Sequence, residues 1–329
     1  MAASEANALR IYASREILPY GRTGCRGQKH EGESVQPIRN DLHFVMSADG
    51  IRLAYRVYVP HNPSSEALPL ICLAGLTRNS RDFHAFAEIV ASDPIKPRTV
   101  ICIDYRGRGA SDRAEDPATY SILTEAQDCL LVLDALGITQ ANFVGTSRGG
   151  LILHILAQLA PERIAAVVLN DVGPQLGMEG LKLIQSYLSQ GNTSAIRDWD
   201  SAAEQLARVH GTAFPALEPS DWQDMAHAIY TERGGKIIPD CDPAIPLAFA
   251  SIDLEQPLPH LWSQFDLLRA TPLMVVRGEH STLLTEQIVE SMQKIHPGLH
   301  VLTAVGQGHA PLLHRHQVRD DLLAFLRSI

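Results

Sequence analysis

From Asp41 onward the chain alternates two patterns. Short, almost uninterrupted apolar runs are separated by longer stretches in which apolar residues recur every three or four positions. The first segment, "LHFVMSADGIRLAYRVYV", is two strand-like runs around Asp49-Gly50, a dipeptide suited to a hairpin turn. Six further runs follow: "LPLICLAG", "RTVICIDY", "ANFVGTS", "IAAVVLND", "TPLMVVRG" and "LHVLTAVG". Continuous rather than alternating apolar character is what strands buried on both faces require. The clearest helical pattern between them is Ile122, Ala126, Cys129, Leu130, Leu133 and Leu136, closed by Gly137. "RGGLILHILAQLAPE", from Arg148, is apolar nearly all round and predicts a helix buried against the sheet. Val318, Leu322, Phe325 and Leu326 predict an amphipathic C-terminal helix.

Strands alternating with helices predict an α/β fold: a mostly parallel, eight-stranded sheet with helices on both faces. One region interrupts the alternation. Between 173 and 269 stand three or four helical patterns, including "MEGLKLIQSYLSQ" and "SAAEQLARVHG", and one weak strand, "GKIIP". We expect a core of 41–172 and 270–329 with residues 173–269 inserted as a helical lid. Residues 1–40 have no sustained period and read as a flexible extension.

Composition narrows the function classes. A chain of 329 residues with 45% hydrophobic and 20% charged residues is long enough for one large domain with an insertion. No apolar run approaches the roughly 18 residues of a membrane span, and "MAASEANALR" has no apolar signal core, so a cytoplasmic chain without a membrane partner is expected. A formal net charge of −9 disfavours nucleic acid as a partner and leaves a small molecule as the expected one. Five cysteines, with Cys72, Cys102 and Cys129 inside apolar segments, read as buried thiols. Of 14 histidines only "HRH" at 314–316 clusters, and nothing nearby completes a metal site, so neither metal nor cofactor is expected.

The candidate chemistry centres on Gly145-Thr146-Ser147-Arg148-Gly149, which fits G-x-S-x-G at a strand-to-helix junction. The glycines permit a sharp turn and close packing, leaving the Ser147 hydroxyl proud of the sheet at a helix N-terminus. A nucleophilic serine needs a base, and His309 in "VGQGHAPLL" follows the last strand on a glycine-flanked loop at the same sheet edge.

These residues, with "LAGLTRNSRDF" after an early strand and "DYRGRGASD" after the next, resemble the α/β-hydrolase superfamily from Asp41 to Ile329. The resemblance implies a Ser147–His309–acid triad and an oxyanion hole formed by the backbone N–H groups of Leu76 and Arg148. It departs at the acid. Relatives place an Asp in the loop after "TPLMVVRG", where this chain has Gly278-Glu279-His280-Ser281-Thr282. Two carboxylates remain. Asp171, in "VVLNDVGP", occupies the position used by some haloalkane dehalogenases and by acetamidomethylene-succinate hydrolases; otherwise it is a cap at the start of the lid. Glu279 is the alternative acid, in the right loop but early in it.

Arg148 has two readings: a clamp for a substrate carboxylate, or an ion pair with Asp171 or another wall carboxylate. Arg78 and Asp82 either face the pocket, with Arg78 binding substrate, or pair with each other. Arg106 and Arg108 read as scaffold. A serine at 147 excludes the chemistry of relatives with an aspartate nucleophile. The expected activity is hydrolysis of a small carboxylic ester through an acyl-enzyme. Amide or C–C hydrolysis of an acidic ring-cleavage product, and a slow-turnover ligand sensor, are the alternatives. Oligomeric state stays open.

Overall fold

The computed structural model describes residues 37–190, 196–256 and 258–329. All eight expected core strands form: β1 (Arg39–Met46), β2 (Arg52–Val59), β3 (Leu70–Leu73), β4 (Val100–Ile103), β5 (Ala141–Thr146), β6 (Ile164–Asn170), β9 (Leu273–Gly278) and β10 (His300–Ala304). Their order is β1-β2-β4-β3-β5-β6-β9-β10. β1 pairs antiparallel with β2 and β2 with β4, whereas every pairing from β4 to β10 is parallel. The core therefore begins at Arg39, two residues before the expected boundary. The rest of the expectation for 1–40 lies largely outside the described residues.

Continuous apolar runs arise because successive strand residues serve opposite layers. Ile71 and Leu73 of β3 join a core with Ala126, Cys129 and Leu133 of α2 (Ile122–Ala135) and with Ile152, Leu153 and Leu156 of α3 (Arg148–Leu159). Leu70 and Cys72 face the other way, toward Phe86 and Val90 of α1 (His84–Ala91) and Val318, Leu322 and Phe325 of the C-terminal helix (His316–Ser328). Cys72, Cys102, Cys129 and Cys241 are buried free thiols. Ser121 caps α2 by accepting from Thr124 N at 3.1 Å. Gly137, at φ +65°, turns the chain out of that helix.

Between β6 and β9 the chain forms α4 (Met178–Gln190), α5 (Trp199–His210), α6 (Pro219–Ile229), α7 (Ala244–Ala250) and α8 (Trp262–Asp266). "GKIIP" yields β8 (Lys236–Pro239), paired antiparallel with β7 (Tyr230–Arg233), a strand too short and polar to announce itself in the sequence. This insert has its own small core, in which Ala202, Leu206, Phe214, Trp222 and Met225 are buried together. Arg81 anchors it to the core, pairing with Asp240 at 2.7 Å and donating to the carbonyls of His227, Ala228 and Tyr230. Arg315 does the same on the other side, pairing with Asp221 and donating to Ala216 O at 2.9 Å. No helix among the described residues is long and apolar enough to cross a membrane.

Candidate active site

Ser147 occupies the turn between β5 and α3 with φ 52° and ψ −115°, a conformation costly for a residue with a Cβ. Its neighbours show why glycine is required on both sides. A Cβ on Gly149 would lie 2.1 Å from Leu73 O, and one on Gly145 would lie 2.6 Å from Gly150 N. α3 therefore packs directly on β3, and its N-terminus is aimed at the sheet edge. The backbone of Ser147 is held by its N–H donating to Asn170 O at 3.0 Å.

The structure brings Ser147, His309 and Asp171 into one chain of hydrogen bonds. Ser147 Oγ lies 2.9 Å from His309 Nε2, and His309 Nδ1 lies 2.8 Å from Asp171 Oδ2. Because the carboxylate only accepts, Nδ1 carries the proton and Nε2 accepts from the Ser147 hydroxyl. Asp171 is fully buried, at the end of β6, and has φ 54°. Ser147 and Asp171 are the two non-glycine residues with positive φ among the described residues. Asp171 Oδ1 accepts from Gly278 N at 2.8 Å, and Oδ2 also accepts from Ser281 Oγ at 2.6 Å. Ser281 stands in the loop where the resemblance leads one to expect an Asp; here it donates to the carboxylate of Asp171, just past β6.

Glu279 does not face His309. Its Oε2 accepts from Gly306 N at 2.7 Å and lies 3.8 Å from His280 Nε2, and its side chain is 45% exposed. Glu279 follows Gly278 so closely that its side chain leaves the edge of the sheet for the backbone of the histidine-bearing loop.

Arg148 pairs with neither Asp171 nor an open pocket. Its Nε donates to Glu125 Oε2 at 2.6 Å and its Nη2 to Tyr120 O at 2.8 Å. Of its two readings, the ion pair is the one formed, with a carboxylate that the sequence did not single out. Arg78 donates from Nε to Asp82 Oδ1 at 2.8 Å, so these two residues pair while lining the cavity. Among the described residues the backbone N–H groups of Leu76 and Arg148 have no acceptor. Gly75, just before Leu76, lies beside Ser147: a Cβ there would be 3.9 Å from Ser147 Cβ.

A cavity of about 730 Å³ opens over these groups. The insert supplies much of its apolar wall, including Leu181, Ile184, Leu206, Phe214, Met225 and Phe249. Tyr187 and His210 add polar edges, with ring centroids 5.1 Å apart. Burial, reinforced by the Arg78 charge, pushes the His210 imidazole down to about 4, so it is neutral near pH 7. Burial pushes the Tyr187 phenol up to about 12. No group of three or more His, Cys, Asp or Glu among the described residues is arranged to hold a metal.

Sequence reasoning missed three supporting residues. Asn170 donates from Nδ2 to Thr146 Oγ1 at 3.1 Å and to Pro311 O at 3.0 Å, joining the Ser147 turn to the His309 loop. Its position next to Asp171 was the available signal. Ser281 stands where an Asp was expected and Glu125 falls on the apolar face of its helix, but the partners of both are remote in sequence.

The family model described as "alpha/beta hydrolase fold" matches residues 69–315. The chain is 30% identical over 288 residues to a 3-hydroxybutyrate-oligomer hydrolase of Cupriavidus necator, covering 84% of this chain and 94% of that one. It is 25% identical over 235 residues to a 2-(acetamidomethylene)succinate hydrolase of Mesorhizobium japonicum, covering 71% of this chain and 79% of that one. Its fold superposes on an alpha/beta hydrolase of Novosphingobium aromaticivorans with a TM-score of 0.78, 35% identity, and coverage of 88% and 99%. The matched region includes Ser147, Asp171 and His309, and the protein is a hydrolase belonging to the α/β-hydrolase family.

Proposed function

We propose that the protein is a serine hydrolase of carboxylic esters, working through a Ser147-His309-Asp171 triad and an acyl-enzyme. The observation that carries this reading is the hydrogen-bond chain from Ser147 Oγ to His309 Nε2, at 2.9 Å, and from His309 Nδ1 to Asp171 Oδ2, at 2.8 Å. His309 Nε2 takes the serine proton as Oγ attacks the ester carbonyl. The backbone N–H groups of Leu76 and Arg148 receive the oxyanion, and each such donor is worth about 3–4 kcal/mol in the transition state. His309 then gives the proton to the leaving alkoxide, releasing the alcohol. A water attacks the acyl-enzyme by the same route in reverse, freeing the acid and Ser147. Asp171 keeps the proton on Nδ1 and stabilises the imidazolium that each step creates.

The insert acts as the lid over this site, and its apolar wall receives the acyl or alcohol chain. A volume of about 730 Å³ exceeds the needs of an acetyl group and accommodates a chain of several ester units. The relative named as a 3-hydroxybutyrate-oligomer hydrolase, matched over 94% of its length, supports linear hydroxy-acid esters as the substrates to try first. Arg148 and Arg78 are both engaged by carboxylates, which removes the anchor that the acidic ring-cleavage reading assigned to Arg148.

The test is turnover of p-nitrophenyl acetate and butyrate and of linear 3-hydroxybutyrate dimers and trimers, by the wild type and by Ser147→Ala. The expected result is ester cleavage by the wild type and a loss of at least 10³-fold in the variant. Labelling of Ser147 by a fluorophosphonate with turnover of none of these esters would overturn the reading in favour of a ligand sensor. Undiminished turnover by Ser147→Ala would overturn it in favour of a different nucleophile.

A further inference from the structure

We propose that Glu125 is a positioning residue that holds the two halves of the oxyanion hole in register, an assignment resting on the serine-hydrolase reading above. Those halves come from distant parts of the chain: Leu76 from the loop after β3, and Arg148 from the first position of α3. The pairing of β3 with β5 and the packing of Gly149 on Leu73 set the two strand ends side by side, but Leu76 lies three residues beyond the end of β3, outside that pairing.

Glu125, in the first turn of α2, spans that gap. Its side chain is fully buried, and each oxygen takes one guanidinium: Oε1 accepts from Arg108 Nη1 at 2.7 Å and Oε2 from Arg148 Nε at 2.6 Å. Arg108 then reaches the other half, donating from Nε to Leu76 O at 2.9 Å. Both residues that bear the oxyanion donors are thus gripped from behind by one carboxylate, directly at Arg148 and through Arg108 at Leu76. The grip is stiff. Arg108 is 1% exposed, donates from Nη1 to Arg106 O at 2.8 Å, and has its guanidinium carbon 5.6 Å from the Tyr105 ring centroid and 5.5 Å from that of Tyr120. Arg148 Nη2 is fixed to Tyr120 O at 2.8 Å. A planar guanidinium with two anchored nitrogens has little freedom to turn.

The cluster is poorly explained as a contribution to stability alone. Burying three charged groups is costly, and an apolar filling of the same volume is often as stable or more so. Precise placement of donors is where such an arrangement repays the cost, since a displacement of about 1 Å at a reacting centre can lower the rate about 10²-fold. The alternative, that the cluster acts through its field, makes the opposite prediction. One carboxylate and two guanidinia carry one net positive charge, so neutralising Glu125 raises the positive charge behind the oxyanion. A field effect would leave Glu125→Gln as active as the wild type or more so. A positioning effect lowers its activity, because an amide offers one acceptor and turns its NH₂ on the other arginine.

The test compares wild type, Glu125→Gln and Ser147→Ala on p-nitrophenyl butyrate, with phenylboronic acid as a probe that forms a tetrahedral adduct on the nucleophile. We expect Glu125→Gln to lose roughly 10- to 100-fold in kcat, with KM within about threefold of wild type and the pH profile of kcat/KM unmoved. Affinity for the boronate falls in the same proportion as kcat. A folded Glu125→Gln with wild-type kcat, or one whose loss lies in KM, overturns the assignment. If that variant does not fold, Arg148→Met serves, because it keeps the backbone N–H and cuts the direct link. A tenfold or greater fall in kcat at unchanged KM supports the assignment, and wild-type kcat overturns it. Full turnover by Ser147→Ala would instead overturn the serine-hydrolase reading, so the two failures are distinguishable.

Discussion

Replacing Asp171 by Asn removes one charge and almost no volume, so its effect can be worked from the hydrogen bonds around the carboxylate. Oδ1 is held by the Gly278 N–H at 2.8 Å, a fixed backbone donor that an amide oxygen can satisfy. The Asn NH₂ group then occupies the Oδ2 position, facing Ser281 Oγ and His309 Nδ1. Ser281 Oγ already accepts from the Leu283 and Leu284 N–H groups at 3.2 Å, so it has no lone pair left for the amide, and the imidazole as protonated cannot accept either. To receive a hydrogen bond at Nδ1 it must move its proton to Nε2, which then points a donor at Ser147 Oγ and can no longer take the serine proton. The wrong tautomer at an otherwise intact triad costs about 10⁴-fold in kcat, or about 5 kcal/mol of transition-state stabilisation. The assay is kcat and kcat/KM on p-nitrophenyl butyrate, with circular dichroism and Tm to verify the fold. Adding Ser281→Asp to Asp171→Asn supplies a carboxylate from the loop where relatives keep theirs, with recovery of about 10- to 100-fold expected. Asp171→Asn with more than a tenth of wild-type kcat would refute this account, most directly if Glu279→Gln were the variant that lost activity.

His154 is fully buried, with Nδ1 donating to Gly150 O at 2.6 Å, and burial holds its imidazole down to about 4, below the ordinary value of 6.5. Between these values the unfolded chain binds the proton and the folded one does not, so stability falls by about 3 kcal/mol as pH drops from 6.5 to 4. Urea unfolding at pH 7 and 4.5 measures this, and an unchanged pH slope in His154→Met would count against it. Gly149→Ala should lose at least 100-fold in kcat, because its Cβ would meet Leu73 O at 2.1 Å. Gly137→Ala, where the Cβ meets nothing within 4 Å, should lose about 1 kcal/mol from its φ of +65° and keep its kcat; equal kinetics in the two variants would refute the packing account. Arg81→Met should cost about 2 kcal/mol and speed limited proteolysis between 219 and 240, since it removes the Arg81 hydrogen bonds to His227 O and Tyr230 O and leaves Asp240 to Arg233 and Ala228 O to Asn79; an unaltered cleavage rate would show that the anchor lies elsewhere.

The sequence by itself determined the framework. Two-sided burial makes core strands nearly all apolar, and for that reason "LPLICLAG" through "LHVLTAVG" were legible as strands and their alternation with helices as a parallel sheet. Ser147 and His309 were legible because each sits among glycines whose spacing reflects a local backbone demand. Local signals failed where the deciding contact spans the chain. Gly234-Gly235, both at positive φ, mark a hairpin turn, but Tyr230–Arg233 itself has no apolar pattern, because its place depends on that turn and on the carbonyls that Arg81 holds. Whether Asp171 or Glu279 faces His309 depends on side-chain directions at the ends of two different strands, a matter of fractions of a turn that composition does not encode. The partner of Arg148 was equally hidden. Glu125 lies 23 residues earlier, on the apolar face of its helix three residues after Ile122 and four before Cys129, so its inward direction follows from spacing but its partner does not. Buried charge is placed by the whole surrounding structure, since partners from several distant segments must converge on it. The sequence could name the arginine and the serine, and only the packed sheet edge could say what each of them touches.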